Sequence, residues 1–138
     1  MQAGVEIFEI RIDVVPSDID NLDHVNNVSY LRWVQQVAIA HWQHSATVED
    51  QEKWLWIVLR HEIDYKQPAV LGDEILARTW VGAAGRLKFE RHTQLFRASD
   101  GALLAQAFSL WCPIDARTRR PTPASEELRQ RFSVAAGK

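Results

Sequence analysis

Between Ser17 and Asn27 the chain reads SDIDNLDHVNN, which places Asp18, Asp20, Asp23, His24, Asn26 and Asn27 within one short stretch. A carboxylate can take a proton from water or attack a carbonyl itself, and an imidazole can orient either group. The stretch runs directly into VSYLRWVQQVAIAHWQH, residues 28–44, which has helical length and neither Gly nor Pro. A helix begins with backbone N–H groups that lack acceptors and with the positive end of its dipole. A carboxylate and an imidazole beside such a terminus make an oxyanion site with a base at hand, which suits acyl transfer. The same residues also fit a solvated loop in which Asn26 or Asn27 merely caps the helix. Residue types alone leave both readings open.

Other chemistries find less in the sequence. Cys112 precedes Pro113 in a strand-like run with no nearby His, and reads as a core thiol. His41 and His44 stand at i and i+3 without a third ligand at metal spacing, so no metal is expected. The chain contains no G-x-G-x-x-G, G-x-x-x-x-G-K-[ST] or G-x-S-x-G motif. Arg117, Arg119 and Arg120 are the candidates for phosphate contact, but also read as a solvated turn. Trp33, Trp42, Trp80 and Trp111 fall in helix or strand runs and read mostly as core.

The elements that would position the loop follow from hydrophobic period. In residues 5–15, Phe8, Ile10, Ile12 and Val14 alternate with Glu9, Arg11 and Asp13, as in a half-buried strand. Pro16 and Ser17 end it. In the following helix Ser29, Arg32, Gln36 and Gln43 form a narrow polar stripe on an otherwise apolar cylinder. That pattern predicts a central helix wrapped on most sides. Residues 55–65, 74–82, 86–98 and 102–114 then read as strands, with Asp100-Gly101 marking a hairpin. Ser125 is a plausible cap for a short helix through Leu128. The expected architecture is α+β, a long antiparallel sheet curled around one apolar helix.

Composition narrows the class of function. The 138 residues are 46% hydrophobic and 25% charged, which fits one globular domain spanning 1–138. With 16 basic and 18 acidic residues the net charge is −2, arguing against a nucleic-acid or anionic-membrane partner. A single cysteine makes no internal disulfide and fits a reducing compartment. Neither a signal-peptide pattern nor an apolar run of membrane-spanning length is seen, so a soluble cytoplasmic protein is the expectation.

SDIDNLDHVNNVSYLRW (17–33) resembles the loop and helix start of hot-dog-fold acyl-CoA thioesterases of the 4-hydroxybenzoyl-CoA thioesterase-like kind. There an Asp is followed four residues later by His-Val-Asn-Asn. HEIDYKQPAVLGDEILARTWV (61–81) and GALLAQAFSLWCPIDARTRRPTP (101–123) are similar to later stretches of the same family, in collinear order. The resemblance implies the hot-dog fold and pairing of two chains so that their sheets join, as a homodimer or homotetramer. It implies an active site at that interface, with no cofactor. The implied reaction is hydrolysis of an acyl-CoA to free acid and CoA. Asp20 matches the family's general base or nucleophile, and the backbone N–H of Asn27 matches its oxyanion donor. His24 would position Asp20, water or substrate. Asn26, Tyr30 and Trp33 are taken as substrate-binding positions, though capping also accounts for Asn26.

Departures from the pattern carry information. Plant-type acyl-carrier-protein thioesterases place Asn two residues after the Asp, where this chain has Leu22. Their later Glu-Cys pair falls on Pro68 and Ala69 here. The simpler Asp-based acyl-CoA branch is therefore favoured, with an acyl-carrier-protein thioesterase as the alternative. Many acyl-CoA members carry an acidic residue in the helix, where Gln35 and Gln36 stand. That difference keeps a non-catalytic acyl-CoA-binding dimer in view. Trp33, Trp54 and Trp56 are the aromatic candidates for an acyl pocket. An Asp20 buried beside the helix would carry a raised pKa.

Overall fold

The computed structural model describes residues 6–132. Its elements in chain order are β1 (Phe8–Asp13), a short 3-10 turn (Pro16–Asp18), α1 (Asn27–Ser45), α2 (Val48–Lys53), β2 (Trp54–Tyr65), β3 (Glu74–Ala84), β4 (Phe89–Arg97), β5 (Leu103–Asp115) and α3 (Glu126–Phe132). The strands form one antiparallel sheet in the order β1-β3-β4-β5-β2. The α+β hot-dog architecture expected from the sequence is present.

Local chemistry sets the element ends. Glu9, Arg11 and Asp13 of β1 face solvent, while Ile12 and the following Val14 are buried, as the period of two requires. The β4–β5 connection turns at Gly101 with φ 74°, the left-handed conformation that glycine adopts without strain. α1 starts after Asn26, whose Oδ1 accepts from the Ser29 N–H at 2.9 Å. α2 follows a second cap, Thr47, whose Oγ1 accepts from the Asp50 N–H at 3.0 Å.

The core lies between α1 and the inner face of the sheet. Trp33, Val34 and Val37 pack on Ile75, Ala77, Leu95 and Ala105 under the first half of the helix. Trp54, Val81, Phe89, Leu128 and Phe132 form a second cluster toward its end. Between the clusters runs a buried polar band containing His41, Thr79, Arg91, Thr93 and Ser109. Cys112 is also buried, in β5 between β4 and β2, and burial raises its thiol pKa.

Two sequence expectations need correcting. α1 is not wrapped on most sides within one chain: it lies on the sheet by one face, leaving Val28 71% and Ile39 51% exposed. Ser29, assigned to the polar stripe, is buried because its hydroxyl donates to the Asp18 carboxylate at 2.8 Å. A hydroxyl with a charged acceptor satisfies its polarity without water.

Candidate active site

The loop before α1 is folded back on itself. The Asp20 N–H donates to the His24 carbonyl at 2.9 Å, and the Asp23 N–H donates to the Asp20 carbonyl at 3.1 Å. Asp23 takes a φ of 61°, a conformation that short polar side chains tolerate best after glycine. The Asp20 carboxylate accepts the Leu22 N–H at 2.9 Å and otherwise faces solvent. Val25 closes the loop, its N–H donating to the Ala69 carbonyl at 2.9 Å.

The buried carboxylate of this region is Asp18, not Asp20. Asp18 is 1% exposed and accepts from the Val15 N–H, the Ser29 hydroxyl and the Arg32 guanidinium. Burial pushes its pKa up, but those donors outweigh burial and hold it below the ordinary value. Its backbone carbonyl also accepts from the Asn26 N–H and side-chain amide. Asp18 is thus a clamp that fixes where the helix begins. Asp20, two residues on, stays open to solvent on the far side of the turn.

An open groove of ≈ 450 Å³ lies against this loop and the helix start, and Asp20, His24, Asn27 and Tyr30 all line it. Its opposite wall comes from the end of β2 and the next loop, through Tyr65, Lys66 and Pro68. Tyr30 joins the two walls: its hydroxyl accepts the Ala69 N–H at 2.8 Å and its ring meets Tyr65 edge-on. The Tyr65 hydroxyl donates to the Asn27 carbonyl at 3.4 Å. Asn27 is the first helical residue, so its N–H has no acceptor within the helix. The Ser29 N–H is already taken by Asn26.

Two expected site residues lie elsewhere. Asn26 uses its side chain for capping and for the Asp18 carbonyl, outside the groove lining. Trp33 is 1% exposed in the core, edge-on to Tyr30, and backs the groove without lining it. Sequence reasoning missed Tyr65 and Lys66 as site residues, although both stand in the Asp-Tyr-Lys stretch that carries the resemblance. The signal is topological: only the sheet order brings the end of β2 beside the helix start.

A second concavity, an apolar cleft of ≈ 70 Å³, lies under the other half of α1. Trp42, Trp56, Phe89, Trp111 and Phe132 line it, together with Arg91 from the polar band. Arg91 Nη1 donates to His41 Nδ1 at 2.9 Å and to Thr79 Oγ1 at 3.1 Å. Because a guanidinium only donates, His41 must carry its proton on Nε2, which donates to Glu6 Oε1 at 2.6 Å. Burial, then the neighbouring Arg91 charge, depress the His41 pKa to about 4. Burial lowers that of Arg91 to about 10, which leaves the guanidinium charged at neutral pH. Among the described residues no cluster of three or more His, Cys, Asp or Glu has metal-binding geometry. Nor is any described helix long and apolar enough to cross a membrane.

Known proteins share the fold and sequence pattern of the chain. A thioesterase from Thermus thermophilus solved with coenzyme A and Zn is 26% identical, with TM-score 0.79 and 99% of each chain covered. A 1,4-dihydroxy-2-naphthoyl-CoA thioesterase from Synechocystis shares the fold at TM-score 0.78 and 18% identity, over 91% of this chain and 95% of that one. A chloroplastic acyl-[acyl-carrier-protein] hydrolase of Cuphea viscosissima is 25% identical over 92% of this chain. The chain spans about a third of that relative's length, 31%. The family model of the thioesterase-like superfamily matches residues 14–132, so the chain belongs to the thioesterase-like superfamily.

Proposed function

We propose that the protein hydrolyses acyl-CoA thioesters at the groove beside the start of α1. The observation that carries this reading is that Asp20, His24 and Asn27, the first residue of α1, line one open groove. In the proposed step the thioester carbonyl oxygen lies against the Asn27 N–H, where the helix terminus favours the charge it gains. Asp20 takes a proton from water as the water oxygen bonds to the carbonyl carbon. The tetrahedral oxyanion then collapses, the C–S bond breaks, and the thiolate leaves and is protonated. Direct attack by Asp20 would instead give an anhydride that water opens. His24, on the same wall, positions the carboxylate or the water.

Two facts favour CoA over a carrier protein. The Thermus structure holding coenzyme A matches the full chain, whereas the acyl-carrier-protein hydrolase matches over 31% of its own length. Lys66 also lines the groove, where its ammonium offers a partner to a CoA phosphate. We further infer pairing of two copies along β2, a sheet edge on which Leu55, Ile57 and Leu59 are exposed.

The test is release of free thiol from acyl-CoAs of varied length, with Asp20→Asn assayed beside the wild type. A loss of about a hundredfold or more in kcat, with unchanged circular dichroism, is expected if Asp20 handles the proton. Undiminished turnover by that variant would remove Asp20 from the mechanism. In a single turnover in labelled water, early label in the Asp20 carboxylate would identify direct attack. Turnover of acyl-carrier-protein substrates with none of acyl-CoAs would move the assignment to the carrier-protein branch.

A further inference from the structure

Arg91 has no role in the groove, yet it is a charged guanidinium 8% exposed at the base of an aromatic cleft. A buried cation is costly unless an anion and well-placed acceptors compensate it. Here its side chain bonds a hydroxyl and a neutral imidazole nitrogen, and the carboxylate of Glu6 reaches it through His41. Both hydrogen bonds of the Arg91 side chain among the described residues use Nη1, so Nε and Nη2 remain to meet an acceptor. Two further donors point to the same need. The indole N–H groups of Trp56 and Trp111, whose rings line the cleft, are buried without a hydrogen-bond partner among the described residues. Apolar walls around unsatisfied donors and a positive charge describe a pocket for an apolar group that ends in oxygen.

The strand direction says how such a group would arrive. Within one chain the cleft begins at Ala38, eleven residues beyond Asn27, about 16 Å along the helix. The buried Trp33, Val34 and Val37 fill the space between. β2 has its Trp56 end at the cleft and its Tyr65 end at the groove. A two-fold axis pairs an edge strand with its own copy antiparallel, bringing opposite ends together. The groove of one copy then adjoins the cleft of the other.

Resting on the thioesterase reading above, we propose that the Arg91 cleft receives the distal end of the acyl group held in the second copy's groove. It selects acyl groups whose far end carries a carboxylate on a short chain, the anion that the buried guanidinium lacks in direct contact among the described residues. The small volume of the cleft suits such an end rather than a long saturated chain.

Matched CoA thioesters test this: adipoyl against hexanoyl. The wild type is expected to favour the oxygen-ended adipoyl member by tenfold or more in kcat/KM. Arg91→Met should collapse that ratio to near one, and Trp111→Phe, which removes the N–H donor and keeps a smaller aromatic ring, should narrow it severalfold. Equal kcat/KM for the two thioesters in the wild type would overturn the proposal without any variant. A parallel fall on both members in Arg91→Met would also overturn it, by showing a structural role alone. Quenching of the cleft tryptophans in Asp20→Asn, titrated with the same thioesters, reads binding without turnover. Tighter binding of the oxygen-ended member with no hydrolysis by wild type would refute the thioesterase reading and keep the pocket. Equal binding of the two thioesters would refute the pocket whatever the turnover.

Discussion

Asp18 and Asp20 are two residues apart and sit in opposite surroundings, and the sequence did not separate them. Both are acidic, loop-borne and close to a helix start; only the structure shows that Asp18 is enclosed and Asp20 open. Asp18→Ala should therefore act on stability, because it orphans the Val15 N–H and the Ser29 hydroxyl. A loss of about 2–4 kcal/mol is expected in denaturant unfolding. Asp20→Asn should leave the unfolding midpoint nearly unchanged while kcat falls. His41 gives a pH signature at the same scale. Its pKa of about 4 in the fold lies below the ordinary 6.5, so between those values the unfolded chain binds the extra proton. Its contribution is complete above pH 6.5 and is lost as the pH falls toward 4, by up to ~3 kcal/mol. Asp18, and Glu6 with its lowered pKa, lose stability in the same direction at lower pH. Thermal melts should show the decline between pH 6.5 and 4.5. His41→Gln, which can still donate to Glu6 and accept from Arg91, should flatten it.

Elements with a buried face were legible in the sequence, and elements without one were not. β1, α1 and β2 to β5 follow their hydrophobic periods, with ends shifted by a few residues at most. α2 buries no residue, so no apolar pattern announces it. Its trace in the sequence is the capping Thr47 with Glu49 and Asp50 in the first turn. The groove was half legible for a related reason. The loop and helix start are contiguous in sequence, whereas the wall carrying Tyr65 and Lys66 arrives by sheet topology. Tyr30 couples the two walls, and Tyr30→Phe should leave the Ala69 N–H without its acceptor. The cost should be about 1–3 kcal/mol in stability. Hydrogen exchange would show faster opening of the 66–73 loop than in the wild type. Asn26→Ala should cost about 1 kcal/mol, the usual worth of a helix cap.

At the scale of the whole molecule, the edge of β2 and the exposed Val28 and Ile39 of α1 mark surfaces that the described residues do not cover. Ile57→Lys, placing a charge on that edge, is expected to convert a dimer to a folded monomer in light scattering. If groove and cleft come from different copies, that monomer should lose acyl-CoA turnover along with the interface. Full activity in a proven monomer would exclude a shared site. The buried Cys112 adds a property useful for reading such experiments. As the chain's single thiol, held in β5 between two neighbouring strands, it is shut away from aqueous electrophiles. A disulfide reagent added to measure released CoA should meet almost no background from the folded enzyme. Over longer times the same reagent becomes a clock: slow modification of Cys112 records each occasion on which that part of the sheet comes apart.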